Sequence, residues 1–380
     1  MIKYENAMKR LGLLFIALLI SALGAVSLHI YVISLSAIAN NFFFGVSYGQ
    51  ETVEDAKFLI DKVKDYTNLF WIGSWSIATN ETALNEVCDY AAKADLHFMV
   101  FFGWVSRVVY PWHQTWLETA KEKWGDKFLG AYLFDEPGGK QIDLGGWNEA
   151  MVQVFENVSD YSNAADLFVS SISSINSTID VKKRGLPMFT SDYALYWFDY
   201  LAGYDTVFVE IGWGHNIIKH IALCRGAANV QGKDWGAIIT WTYYEPPYLA
   251  SGHEILEQMM TAYHAGAKYV IIFNYAEDPV TGKPISILRE DHFRVMQKFW
   301  KYVHSHPHRH ATEVGQVAFV LPRDYGWGMR RPDDRIWGLW NADEKAPLIW
   351  ENVNKLIAKY GLKLDIIYDD SRFNYKEKYA

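Results

Sequence analysis

A (β/α)8 TIM barrel, preceded by a transmembrane helix and followed by a small βαβ unit, is the α/β architecture that the sequence predicts. Three observations carry the barrel. Short apolar runs recur eight times between residues 40 and 305. Each is followed by a stretch with helical periodicity. The runs are near-continuous in hydrophobicity, as in HFMVFF, WGAIIT and YVIIFN, rather than alternating, which suits parallel strands buried on both faces. Strand then helix, eight times over, is the pattern of a closed barrel.

The elements follow in chain order. Lys3, Lys9 and Arg10 flank an uncharged, mainly apolar run over residues 11–39, longer than the roughly 20 residues that cross a bilayer. Basic residues on its N-terminal side predict a cytoplasmic tail of residues 1–10, an anchor or uncleaved signal over 11–39, and the rest of the chain outside the cell. Sequons at Asn80, Asn157 and Asn176 agree with export and predict a glycoprotein.

Strands are expected at Phe42–Ser47, Asn68–Gly73, His97–Phe102, Leu129–Phe134, Pro187–Thr190, Thr206–Glu210, Gly236–Thr242 and Tyr269–Tyr275. The first helix shows the pattern of the rest, with Val53, Ala56, Leu59, Ile60 and Val63 on one face. After a helix over Asp291–His304, the polar, proline-containing stretch 306–312 reads as a linker. Its alternating histidines are expected to be solvated, because Pro307 interrupts any ligand spacing.

Residues 313–380 restart the pattern, with strands at Val314–Leu321 and Leu362–Tyr368 around a helix at Ala346–Tyr360. So small a unit is expected to dock on the barrel rather than build its own core. The Trp-, Arg- and Asp-rich segment Pro322–Asp343 is read as that docking interface, with a loop that covers the barrel mouth or stacks a distal sugar as the alternative.

Composition removes several functions. Half of the 380 residues are hydrophobic and 21% are charged, which excludes a disordered chain. A net charge of −8 supplies no field for nucleic acid. Two cysteines exclude a disulfide scaffold or a multi-thiolate zinc site, and Cys88 and Cys224 are expected as buried small hydrophobes. No Gly-rich phosphate loop occurs. The abundance of rings, 21 Phe, 16 Trp and 24 Tyr, is what remains to be explained.

In this fold the reacting side chains project from the C-terminal ends of the strands. The predicted rim is rich in rings and acids: Trp75, Trp104, Trp213, Trp241, Tyr243, Tyr244 and Tyr275, with Asp135, Glu136, Asp192, Glu210 and Glu245. Rings stack on the C–H faces of sugars while carboxylates take the hydroxyls, so a carbohydrate substrate is expected, with the seven aromatics, Asp135 and Asp192 binding it and no metal or cofactor required. Cleaving a glycosidic bond needs two carboxyl groups, one protonated and one ionised. Glu210 is well placed by strand phase, whereas Glu245 comes four residues after Trp241 and falls in a loop. Adjacent Asp135 and Glu136 are expected to point to opposite faces.

The run GAYLFDEP, Gly130–Pro137, resembles the fourth-strand motif of clan A glycoside hydrolases, in which Asn-Glu-Pro places the acid/base glutamate at the strand end. The resemblance implies Glu136 as proton donor and, because that clan carries its nucleophile after the seventh strand, Glu245 as nucleophile, with Glu210 and then Asp192 behind it. Asp135 stands at the Asn position, where a carboxylate accepts hydrogen bonds that an amide would donate. Two alternatives remain. One is a non-catalytic, carbohydrate-binding surface protein, which would lack two carboxyls at reacting distance. The other is a barrel lyase or aldolase, which would want a buried lysine or a metal cluster.

Overall fold

The computed structural model describes residues 42–103, 111–144, 154 and 156–379. Eight parallel strands close a barrel in sequential order: β1 (Phe43–Tyr48), β2 (Leu69–Ile72), β3 (His97–Gly103), β4 (Phe128–Leu133), β5 (Met188–Asp192), β6 (Thr206–Ile211), β7 (Asp234–Ile239) and β8 (Tyr269–Ile272), which pairs back onto β1. Around them run α1 (Val53–Val63), α2 (Trp75–Ala78), α3 (Glu81–Lys93), α4 (His113–Trp124), α5 (Pro137–Ile142), α6 (Tyr161–Ser173), α7 (Asn176–Lys183), α8 (Tyr196–Ala202), α9 (Ile217–Gln231), α10 (Gly252–His264) and α11 (Glu290–Ser305). A short hairpin of β9 (Ala276–Glu277) and β10 (Pro284–Ile285) follows β8. The predicted tail and anchor, residues 1–39, lie outside the described residues, among which no helix is long and apolar enough to cross a membrane.

Strand phase divides the core in two. Phe43, Leu69, Trp71, Met99, Tyr132, Phe189, Phe208, Ile238, Tyr269 and Ile271 form a cluster of their own, distinct from the larger core that the helices share. They occupy alternate positions on all eight strands, so they are the side chains that fill the barrel interior. Six of the ten are aromatic, with Phe43 stacked on Tyr269 at 5.0 Å between ring centroids. Part of the ring excess therefore packs the lumen. Rings of this size need gaps beside them, and a Cβ on Gly236 would stand 2.5 Å from the Phe208 ring.

After α11, residues 306–312 are pinned to the barrel: Pro307 is buried and the His310 ring nitrogen lies 3.0 Å from the Ala267 carbonyl. The C-terminal residues then form β11 (Val317–Leu321), α12 (Lys345–Tyr360) and β12 (Leu364–Tyr368), with β11 and β12 parallel. This unit packs on α9. Arg225 of α9 is fully buried and pairs with Asp365 of β12 at 2.7 Å, while its other nitrogens reach the carbonyls of Leu364, at 3.0 Å, and Glu313, at 2.9 Å. Gly226 permits the close approach, since a Cβ there would lie 2.6 Å from the Ile366 carbonyl.

Candidate active site

A cavity of about 730 Å³ opens at the C-terminal ends of the strands, within the range of ligand sites. Its lining is asymmetric. Asp135 and Glu136 after β4, Ser191 on β5 and Glu210 on β6 face it from one side; Trp241 and Tyr244 after β7, Phe273 and Tyr275 after β8, Trp71 on β2 and Trp75 after it face it from the other. Trp213, after β6, joins the two halves, with its ring 5.8 Å from that of Trp241 and 5.5 Å from that of Tyr244.

Glu210 reaches the cavity by strand phase, two residues beyond the interior Phe208. It accepts hydrogen bonds from Ser191 Oγ at 2.7 Å and Trp213 Nε1 at 2.8 Å. Glu136 arrives differently. Phe134 and Glu136 both adopt left-handed backbone conformations, φ 55° and 53°, which non-glycine residues adopt at a cost and which break strand alternation. Asp135 and Glu136 therefore both line the cavity instead of pointing to opposite faces; Glu136 is buried and Asp135 sits nearer the rim.

The two glutamates meet. Both carboxyl groups are buried and line the same side of the cavity, close enough for each to act on the other's proton affinity. Burial, then Glu210 and Asp135, drive the Glu136 pKa well above its ordinary value. Burial and Asp135 raise Glu210 less, to about 7, because hydrogen bonds from Trp213, Ser191 and Glu136 favour its charged form. These causes favour the protonated form at Glu136 over that at Glu210. Behind them the ammonium of Lys140, on α5, is wholly buried 3.3 Å from Asp135 Oδ2 and 3.3 Å from Glu136 Oε2. Burial alone would lower its pKa, but Asp135 and Glu136 outweigh that and hold it above the usual lysine value.

Several expected residues fall elsewhere. Glu245 is exposed on the loop after β7, outside the cavity lining, so the second carboxyl near Glu136 is that of Glu210. Asp192 is fully buried and takes no part in the cavity wall; being one residue out of phase with Ser191, it turns outward and accepts the backbone N–H groups of Gly138 and Gly139 at 2.6 and 2.7 Å and those of Tyr193 and Ala194. Tyr243 is 47% exposed and also outside the lining. Trp104 lies outside the described residues. The other expected aromatics, Trp75, Trp213, Trp241, Tyr244 and Tyr275, all line the cavity.

Other lining residues come from unexpected places. Arg330, within the segment expected as a docking interface, reaches the cavity wall and grips Asp143 in a two-pronged pair, Nη1 to Oδ2 at 3.0 Å and Nη2 to Oδ1 at 2.8 Å, while also pairing with Asp334. Tyr193 donates to Asp143 Oδ2 at 2.8 Å and lies under the Arg330 guanidinium. His215 completes this wall; burial and then Arg330 lower its pKa to about 4, so it is neutral. The same segment also docks, burying Trp327, Ile336 and Trp337. The segment therefore packs on the barrel, as the interface reading expects, and reaches the cavity wall through Arg330.

The fold and site define a class: a closed (β/α)8 barrel with a paired-carboxyl, ring-lined cavity at the strand C-termini. Solved structures similar to the chain include an endo-1,4-beta-mannanase from Rhizomucor miehei, 10% identical over 70% of this chain and 95% of that one with a TM-score of 0.47. A GH99 endo-alpha-mannosidase from Bacteroides thetaiotaomicron is 9% identical over 69% and 82% with a TM-score of 0.45. A 3-deoxy-D-arabino-heptulosonate 7-phosphate synthase from Thermotoga maritima is 10% identical over 70% and 88% with a TM-score of 0.38. At such identities the likeness is one of barrel fold. No family model and no curated protein matches the sequence.

Proposed function

We propose that the protein is a glycoside hydrolase in which Glu136 is the general acid/base and Glu210 the nucleophile. The observation that carries this reading is the pair of buried carboxyls, Glu136 and Glu210, that face one ring-lined cavity at the mouth of the barrel. Each glycosidic cleavage needs one carboxyl to protonate the departing oxygen and an ionised one to attack or to activate water. Glu136, holding the proton, gives it to the leaving group. Glu210, fixed by Ser191 and Trp213, attacks the anomeric carbon as the leaving group departs with the proton of Glu136, and water then hydrolyses the glycosyl-enzyme with Glu136 as base. The rings of Trp241, Tyr244, Trp75 and Tyr275 stack against the sugar faces opposite the acids.

The lyase or aldolase alternative needs a neutral amine. Lys140 is buried beside Glu136, but two carboxyl groups hold its proton, so it serves as a counter-ion. Export fits the basic flank ahead of the apolar run 11–39 and the exposed positions of Asn80, Asn157 and Asn176, and we place the barrel outside the cell on that ground.

The test is hydrolysis of a panel of aryl glycosides and oligosaccharides. Glu210→Gly should lose turnover and regain it with azide, giving a glycosyl azide of inverted anomeric configuration, as expected of a missing nucleophile. Turnover by the wild type with unimpaired turnover by Glu210→Gly would remove Glu210 from the mechanism.

A further inference from the structure

Directly beneath Glu136 lies a second pair of carboxyls that the proposed chemistry does not use. Asp192 ends β5 and Asp199 sits in the first turn of α8; both are fully buried. Asp192 is saturated with donors, accepting four backbone N–H groups: Gly138 at 2.6 Å, Gly139 at 2.7 Å, Tyr193 at 2.7 Å and Ala194 at 3.0 Å. Burial raises its pKa to about 7, and the backbone donors hold it from rising further, so it is the member that ionises first. Asp199 is the opposite case. Both of its oxygens are buried and receive no hydrogen bond from a donor group, and the group that acts on it is the Asp192 carboxyl. A carboxylate can approach another carboxylate in this way only through a shared proton.

Gly138 and Gly139 open α5, immediately after Glu136, whose left-handed backbone is held against its natural preference. The bonds from these two amides to Asp192 tie that turn to β5. A side chain is excluded at either glycine, since a Cβ on Gly138 would stand 2.9 Å from Asp192 Oδ2 and one on Gly139 2.2 Å from the Tyr193 ring.

We propose that Asp199 is a positioning residue: it shares one proton with Asp192, and the joined carboxyls hold the turn that carries Glu136 into the cavity. The surroundings agree. The titratable groups facing the pair are Tyr193 after β5, Tyr196 and Tyr200 on α8, Tyr204 beyond it and Cys224 on α9, all neutral. The acidic group facing Asp199 is Asp192 itself, and burial followed by that neighbour raises the Asp199 pKa well above the ordinary carboxyl value.

The linkage has a definite sign. The unfolded chain releases the Asp199 proton near pH 4 while the folded chain keeps it, so folding stability falls as pH rises above that point. Asp199→Asn removes this dependence and keeps an N–H donor to Asp192. Chemical unfolding of the full chain should therefore show the unfolding constant of the wild type, divided by that of Asp199→Asn, rising about tenfold per pH unit between about pH 5 and 7. Parallel stability profiles would overturn the shared proton.

The positioning role rests on the proposed glycosidase reading and is tested separately. At pH 6, Asp199→Asn should keep kcat within about threefold of wild type, whereas Asp199→Leu, which offers Asp192 no donor, should lose about tenfold or more in kcat with KM little changed. Wild-type kcat in Asp199→Leu would overturn that role. Absence of glycosidase activity in the wild type would overturn the functional reading alone, with the unfolding profiles still deciding the proton.

Discussion

The indole Nε1 of Trp213 donates to Oε2 of Glu210 at 2.8 Å. One side chain thereby walls the cavity with its ring and holds the attacking carboxylate with its edge. Trp213→Phe keeps the ring and deletes the bond. A hydrogen bond to a charged group is worth about 1.5–3 kcal/mol, and one pKa unit corresponds to about 1.4 kcal/mol. Losing a donor to the charged form raises the pKa, so the acid limb of kcat/KM should move up by about one to two pH units from its wild-type position near 7. A limb that stays in place would mean that the bond does not govern Glu210.

The two limbs belong to different groups. Activity should rise through about pH 7 as Glu210 ionises and fall at higher pH as Glu136, held protonated by burial and by Glu210, gives up its proton. Glu136→Gln should abolish the alkaline limb and cost about 10²–10⁴ in kcat on substrates with poor leaving groups, and far less with a nitrophenolate. An alkaline limb that survives in Glu136→Gln would assign it to another residue.

Lys140→Met leaves the carboxyls of Asp135 and Glu136 without their buried cation. Breaking a buried pair from one side costs about 3–5 kcal/mol; Glu136 is protonated, so the lower end is expected. Urea unfolding at pH 6 measures it, and a loss under about 1 kcal/mol would show that solvent at the cavity rim already compensates Asp135.

Arg225→Leu breaks the bridge between α9 and β12. Asp365, 0% exposed, would lose the guanidinium 2.7 Å away, and carbonyls of residues 313 and 364 would lose their donor. The expected cost is about 3–5 kcal/mol, with β12 becoming open to proteolysis first. Uniform protease resistance in the variant would argue that apolar packing alone seats the C-terminal unit.

The barrel was legible because hydrophobicity and strand count are local properties: all eight expected strands overlap the observed ones, and even Val314–Leu321 and Leu362–Tyr368 differ from β11 and β12 only by early starts. Strand phase held further information. Phe189 and Phe208 point inward, so Ser191 and Glu210 must face the cavity while Asp192 must not, and phase selects Glu210 over Glu245 where resemblance to a motif selected Glu245. Phase failed only after β4, because the left-handed Phe134 and Glu136 have no marker in a non-glycine sequence. Lys140, Asp143 and Arg330 were out of reach for another reason. Their partners are set by tertiary packing, and no spacing in the chain announces that a guanidinium from beyond β11 meets an aspartate that follows α5.

Arg330 also imposes an order on synthesis. The ring of strands can close once β8 has left the ribosome, yet the cavity wall at Asp143 and Tyr193 waits for a residue translated after β11. Synthesis runs from the N-terminus, so all eight strands of the barrel are made before the residue that completes this wall. A chain cut between residues 313 and 330 would lack the guanidinium that pairs with Asp143 and covers Tyr193, and with it that flank of the cavity.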